Sequence, residues 1–197
     1  MYSRRMIRSF FLPVLLGTMM LGIFSGPVDA GDRIVYNKYN IHVQDQIDRK
    51  GNHHYAASYA NYTDPGAGHM IIPAGTPLIV KKKSRKEIVF LTQKDNLRIE
   101  FEYHEPRMGM SVDKYLELTT SSQPTSLSKF SGADLKGIEG GKAQVGMTKE
   151  GILTALGYPA AHRTPSLDAG TWIYWTNRFG TLSVDFDAKG KVTKVTN

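Results

Sequence analysis

The last sixty residues constrain the fold more than any other part of the chain, because signals that start and stop a helix are followed by three strand-like runs. Thr148 is a good N-cap: its hydroxyl can accept a free backbone N–H of the first turn, and Glu150 suits the positive end of the helix dipole. Ile152, Leu153 and Leu156 then share one side of a short helix that starts near Lys149. Gly157 is the expected left-handed residue at its end, and Pro159 prevents continuation. Gly151 inside it costs about 1 kcal/mol relative to Ala, so this helix depends on tertiary packing. Thr171–Trp175, Thr181–Phe186 and Val192–Val195 follow as strands, and Asp187-Ala188-Lys189-Gly190 reads as a hairpin turn with a local bulge.

The first half reads as β-rich. Leu97–Tyr103 alternates strictly, with Leu97, Ile99, Phe101 and Tyr103 on one face and Arg98, Glu100 and Glu102 on the other, the pattern of a half-buried antiparallel strand. Pro77–Val80 and Glu87–Leu91 are two more strands, joined at Lys81–Lys86, and Asn40–Gln44 and His54–Tyr59 are weaker candidates. Ser111 caps a short helix over 111–118. Several short strands joined by tight turns predict a small barrel or curled sheet, and the run resembles the SH3-like barrels of bacterial envelope proteins.

The N-terminus reads as an address. Arg4, Arg5 and Arg8 precede an apolar run from Phe10 to Phe24, and Val28-Asp29-Ala30 places small residues where a signal peptidase cuts. The run is shorter than the roughly 20 residues that span a bilayer, so export with cleavage after Ala30 is expected over a retained anchor. Taking three Arg and one Asp from the 25 basic and 18 acidic residues leaves 22 and 17, a modestly basic +5. The chain has no cysteine, which excludes disulfides, thiolate metal sites, a cysteine nucleophile and a lipidated cysteine, and predicts a soluble periplasmic protein. The expected domains are 1–30 signal peptide, 31–118 β-rich N-terminal domain, 119–133 Ser/Thr/Pro-rich linker and 134–197 C-terminal domain.

Gly146-Met147-Thr148, Ala155-Leu156-Gly157 with Pro159, the Trp172/Tyr174 strand, and Leu182 to Phe186 with Gly190, Val192 and Thr193 together resemble the SmpA/OmlA (BamE-like) domain family over residues 134–197. The resemblance implies two short helices packed on a three-stranded antiparallel sheet, similar to half of the β-lactamase inhibitory protein, and a protein-binding module linked to outer-membrane assembly. The best-known family member is held to the membrane through a lipidated cysteine, which this chain lacks while carrying an extra domain in front. The predicted fold class is therefore α+β: C-terminal short helices on a three-stranded antiparallel sheet, behind an N-terminal small barrel or curled sheet.

The candidate site residues are few. Trp172, Tyr174, Trp175 and Phe179 cannot all enter one core, so they are the candidate partner-binding set, with Arg178, His162 and Arg163 at its rim. Lys81, Lys82, Lys83, Arg85 and Lys86 put five cations in six positions on a predicted hairpin tip, a candidate anionic-surface contact. His53, His54, Asp64 and His69 lack the spacing of a closed metal site, and Asp64-Pro65-Gly66-Ala67-Gly68 lacks the ending of a phosphate loop. No motif combines a nucleophile, a base and an orienting group, so no enzyme, cofactor or metal is predicted, and nucleic acid is not an expected partner. The expected function is a non-enzymatic envelope protein that binds envelope proteins in outer-membrane biogenesis or envelope integrity. The alternatives are a binder of anionic lipid or cell-wall glycan through the basic hairpin, and an inhibitor that occludes an enzyme.

Overall fold

The computed structural model describes residues 33–197, so the expected signal peptide and its cleavage after Ala30 lie outside the described residues. The chain forms β1 (Ile34–Asn37), β2 (Ile41–Ile47), β3 (His53–Ser58), β4 (His69–Ile72), β5 (Pro77–Lys83), β6 (Glu87–Thr92) and β7 (Arg98–Glu102). Helices α1 (Glu105–Met108) and α2 (Val112–Thr119) follow, then the two-residue strand β8 (Thr120–Ser121). Helices α3 (Gly132–Gly140) and α4 (Lys149–Leu156) precede β9 (Thr171–Trp175), β10 (Thr181–Phe186) and β11 (Val192–Thr196).

The first eight strands make one curled sheet in the order β4-β2-β3-β7-β6-β5-β1-β8, and the last three make a second sheet in the order β11-β10-β9. Neighbours pair antiparallel except β3 and β7, which are parallel. The expected α+β class is overturned. The described chain is mainly β, a half-barrel plus a small second sheet with four short helices, and a helix layer on a sheet is not its organising principle. The reason is long-range pairing that local periodicity does not register: Tyr36 and Asn37 pair with Ser121 and Thr120, and Tyr55–Ser58 lie parallel to Ile99–Glu102.

The alternation over Leu97–Tyr103 does what it predicts. Ile99 and Phe101 are buried inside the curl beside Leu78, Ile88 and Val43, while Arg98, Glu100 and Glu102 face outward. Ser111 caps α2, its hydroxyl accepting the Lys114 N–H at 3.2 Å, and the helix lays Val112 and Tyr115 across the inside of the curl. The Tyr115 ring stands 5.6 Å from Phe101 and 5.2 Å from Tyr103. Burial raises the phenol of Tyr115 and pushes that of Tyr103 up to about 12. The β5–β6 turn is built by Ser84, whose hydroxyl accepts the N–H groups of Lys86 and Glu87. Because β5 continues through Lys83, Lys81–Lys83 lie on a strand and only Ser84–Lys86 form the tip, contrary to the expected hairpin tip over all six residues.

The second core joins Trp172, Tyr174, Leu182, Val184 and Val192 to Ile138, Met147, Ile152 and Leu156. Thr148 caps α4 as expected, accepting the Gly151 N–H at 2.9 Å, and the β10–β11 hairpin carries its bulge near Asp185 and Phe186. Gly157 departs from expectation: with φ 82° and ψ −175° it is extended rather than left-handed helical. That conformation suits glycine, and an added Cβ would lie 2.8 Å from the Asn61 amide.

A polar seam joins the two sheets, and it is built from helix ends. The last carbonyls of a helix have no partner within the helix. Here β2 and the residue before it supply donors: the Asn40 N–H to Thr154 O at 2.8 Å, the Asn40 side-chain amide to Ile138 O at 2.7 Å and Ala155 O at 3.3 Å, and His42 Nε2 to Ala155 O at 3.0 Å. Asn61 donates to Tyr158 O at 2.8 Å, and the Tyr174 hydroxyl to Gly157 O at 3.1 Å. The curled sheet thereby caps α4, and the seam is specified by partners that only these two surfaces possess.

Candidate partner-binding groove

The turn between β9 and β10 is a tight polar device that displays an apolar ring. Asn177 Oδ1 accepts the N–H groups of Phe179 and Gly180, both at 2.9 Å, and the Thr176 N–H donates to Gly180 O at 3.0 Å. The result leaves Phe179 89% exposed, with the Arg178 guanidinium 5.7 Å from its ring centre. The segment after β3 is tied to the same edge, since Thr63 and Asp64 donate their N–H groups to Trp175 O at 3.0 Å and Thr176 O at 2.8 Å.

Between tip and sheet runs a groove of about 470 Å³ bordered by Gln44, Tyr62, Asp64, Pro65, Asn177 and Phe179. It continues, through the shared Gln44, Tyr62 and Pro65, into a space of about 410 Å³ over Ala56, Ser58, Glu100 and Glu102 on the outward face of the curled sheet. Burial is the main cause that raises the Tyr62 phenol, with Tyr59 and Glu102 adding to it. The carboxylates along this face are answered from within the chain. Lys82 meets Glu87 at 2.5 Å, Arg98 meets Glu100 at 3.2 Å, and the Ser58 hydroxyl donates to Glu102 at 3.3 Å.

The histidine and the serine that border the groove are already bonded within the chain. Both ring nitrogens of His42 are engaged, by His69 and by Ala155 O, and Ser58 Oγ already donates to Glu102 while accepting the Ala60 N–H. A general base needs a free lone pair within reach of the proton it removes, and neither histidine nor serine presents one to the groove. His53 and His54 point elsewhere, at 2.8 Å from Asp45 and 3.5 Å from Asp48, and His69 meets His42 through Nε2 at 3.0 Å. Among the described residues no three His, Cys, Asp or Glu side chains converge as metal ligands.

The aromatic set expected at the surface is divided by the structure. Trp172 and Tyr174, each 1% exposed, are core residues: Trp172 packs on Phe186 at 4.8 Å under the Lys149 ammonium, and Tyr174 anchors the seam. Trp175 is half-buried on the opposite face against the first core, with the Arg163 guanidinium 5.5 Å from its ring. His162 is exposed and bonded to Arg107 O. Only Arg178 and Phe179 of the set stand free at the groove, because alternation along β9 sends successive aromatics into two different cores.

The basic segment is less of a single patch than its sequence suggests. Lys82 pairs with Glu87, Lys83 with Asp113 and Arg85 with Glu105, and all five cations of the segment are exposed. Groove residues that the sequence reading missed are Tyr62, Gln44, Pro65 and Asn177. The Asn177–Gly180 turn signature was the available signal for the last, whereas the others reach the groove only through pairings distant in sequence. Among the described residues no helix is long and apolar enough to cross a membrane. No family model, no curated protein and no solved structure matches the chain.

Proposed function

We propose that this chain is a non-enzymatic, exported protein of the cell envelope that binds an envelope partner protein at the Arg178–Phe179 tip and the groove beside it. The observation that carries this reading is Phe179 itself, an 89% exposed ring on a turn braced by two hydrogen bonds to Asn177. A rigid aromatic beside an arginine and above a groove is the residue composition of an interface anchor. The export signal expected over Arg4–Ala30 and the SmpA/OmlA resemblance over 134–197 support an envelope setting and make outer-membrane biogenesis the first process to test. The engaged state of Lys82, Lys83 and Arg85 favours the tip over the basic segment as the contact.

The test is photocrosslinking from position 179 in living cells, with the periplasmic fraction checked for a mature N-terminus at Gly31. The expected result is a discrete protein adduct that Arg178→Glu or a Gln44→Arg change in the groove abolishes. An adduct obtained only from positions 81–86, or retention of the 179 adduct in both variants, overturns the assignment of this site.

A further inference from the structure

Strand β2 brings a second ring to the end of α4. His42 is 4% exposed, its Nε2 lies 3.0 Å from Ala155 O, and its Nδ1 lies 3.0 Å from Nε2 of His69 on β4, the two ring planes within 10° of parallel. With both rings neutral, one proton arrangement satisfies every contact. His42 Nε2–H donates to Ala155 O, bare His42 Nδ1 accepts His69 Nε2–H, and His69 Nδ1 is left over. A first added proton sits on His69 Nδ1 and breaks nothing. A second makes His42 Nδ1 a donor as well, setting donor against donor and cation against cation across 3.0 Å.

We propose that the His42–His69 pair is an acid-operated latch between the curled sheet and the C-terminal helices, holding α4 on β2 while it carries at most one proton and releasing it when it carries two. The surroundings give the second proton little help. Asp64, from the segment after β3, favours charge on His69, while Lys142, from the α3–α4 connection, opposes it. Glu87, Glu100, Glu102 and Lys86, from β6, β7 and the turn before β6, border the groove that His42 also borders, and α4 presents the Ala155 carbonyl. Gly141 packs so closely that an added Cβ would stand 3.0 Å from the His42 ring, leaving little space to hydrate a charge there. Burial accordingly lowers His42 to about 4, outweighing the carbonyl that raises it, and burial also lowers His69.

The Asn40 amide, which donates to Thr154 O at 2.8 Å on the same seam, reports whether the latch is closed. Hydrogen exchange of the full chain is measured between pH 7 and pH 4 and expressed as protection relative to Ile99 and Phe101 in the middle of the sheet. The expected result is a tenfold or greater loss of relative protection at Asn40 on acidification. His42→Gln, whose amide donates to Ala155 O without titrating, removes that loss. Should that variant not fold, His69→Gln serves, because its amide oxygen accepts from a protonated His42 and so shrinks the loss at least threefold. Constant protection of Asn40 across the range, or an undiminished loss in the variant, overturns the proposal.

Discussion

Asp134 Oδ1 accepts the Thr148 N–H at 2.7 Å and the Thr148 hydroxyl at 3.1 Å, so a single carboxylate, 1% exposed, ties the first turn of α3 to the cap of α4. Its other oxygen accepts from the Ser131 N–H and hydroxyl, completing a capping box, and the positive ends of two helices converge on it. Burial alone would raise this carboxyl, but the bonds from Ser131 and Thr148 hold it below the usual range.

Asp134→Ala is expected to lower the unfolding free energy by about 3 kcal/mol, since charge-assisted bonds are lost and buried donors are stranded. Because the folded value is depressed, the contribution of Asp134 is present above the unfolded value and is lost as pH falls through the folded one. Urea titrations at neutral pH and near pH 3 check both, with the difference between wild type and variant shrinking in acid.

Gly151→Ala reverses an ordinary rule. Inside a helix this change gains about 1 kcal/mol, but here the new Cβ would stand 2.0 Å from Asp134 Oδ1. A loss of roughly 2 kcal/mol is expected, as for other overpacked sites. A fall in Tm, not a rise, is the outcome to look for in calorimetry.

Asn40→Ala removes donors to Ile138 O and Ala155 O and the acceptor of the Ala74 N–H at 2.9 Å. The expected cost is about 3 kcal/mol, read from the urea midpoint at unchanged slope. Exchange protection should fall first at the end of α4.

The stability of the protein should decline on mild acidification because of His42. Its folded value is about 4 against 6.5 when unfolded, so the unfolded chain takes up the proton first. Above about pH 7 there is no effect; from there stability falls toward pH 4 and levels off, by on the order of 3 kcal/mol. The Tm of His42→Gln measured over the same range should be flatter by that amount.

Phe179→Ala should leave stability within about 0.5 kcal/mol, as expected of an exposed position, while Trp172→Ala should cost about 3–5 kcal/mol. Paired denaturation curves separate the two aromatics that the sequence grouped together.

Local chemistry was legible in the residues themselves. The caps at Ser111 and Thr148, the alternation over Leu97–Tyr103, the strands beginning at Thr171, Thr181 and Val192 and the bulged turn at Asp187–Gly190 depend on neighbours within a few positions, and the structure reproduces each. The fate of three of the four aromatics in the candidate site was not legible. Trp172, Tyr174 and Trp175 show an alternation that says they face two ways, but not that a core waits on both sides.

What the sequence by itself determined is therefore where elements start, stop and turn, because backbone capping and side-chain alternation act over short distances. What only the tertiary structure decided is the eight-strand curl, the capture of the α4 carbonyls by Asn40 and His42, and the gathering of Tyr62, Pro65 and Phe179 around one groove. Those rest on packing between distant segments and on hydrogen bonds such as Asn40 to Ala155, 115 positions apart, and no local pattern encodes which distant donor a buried carbonyl will find.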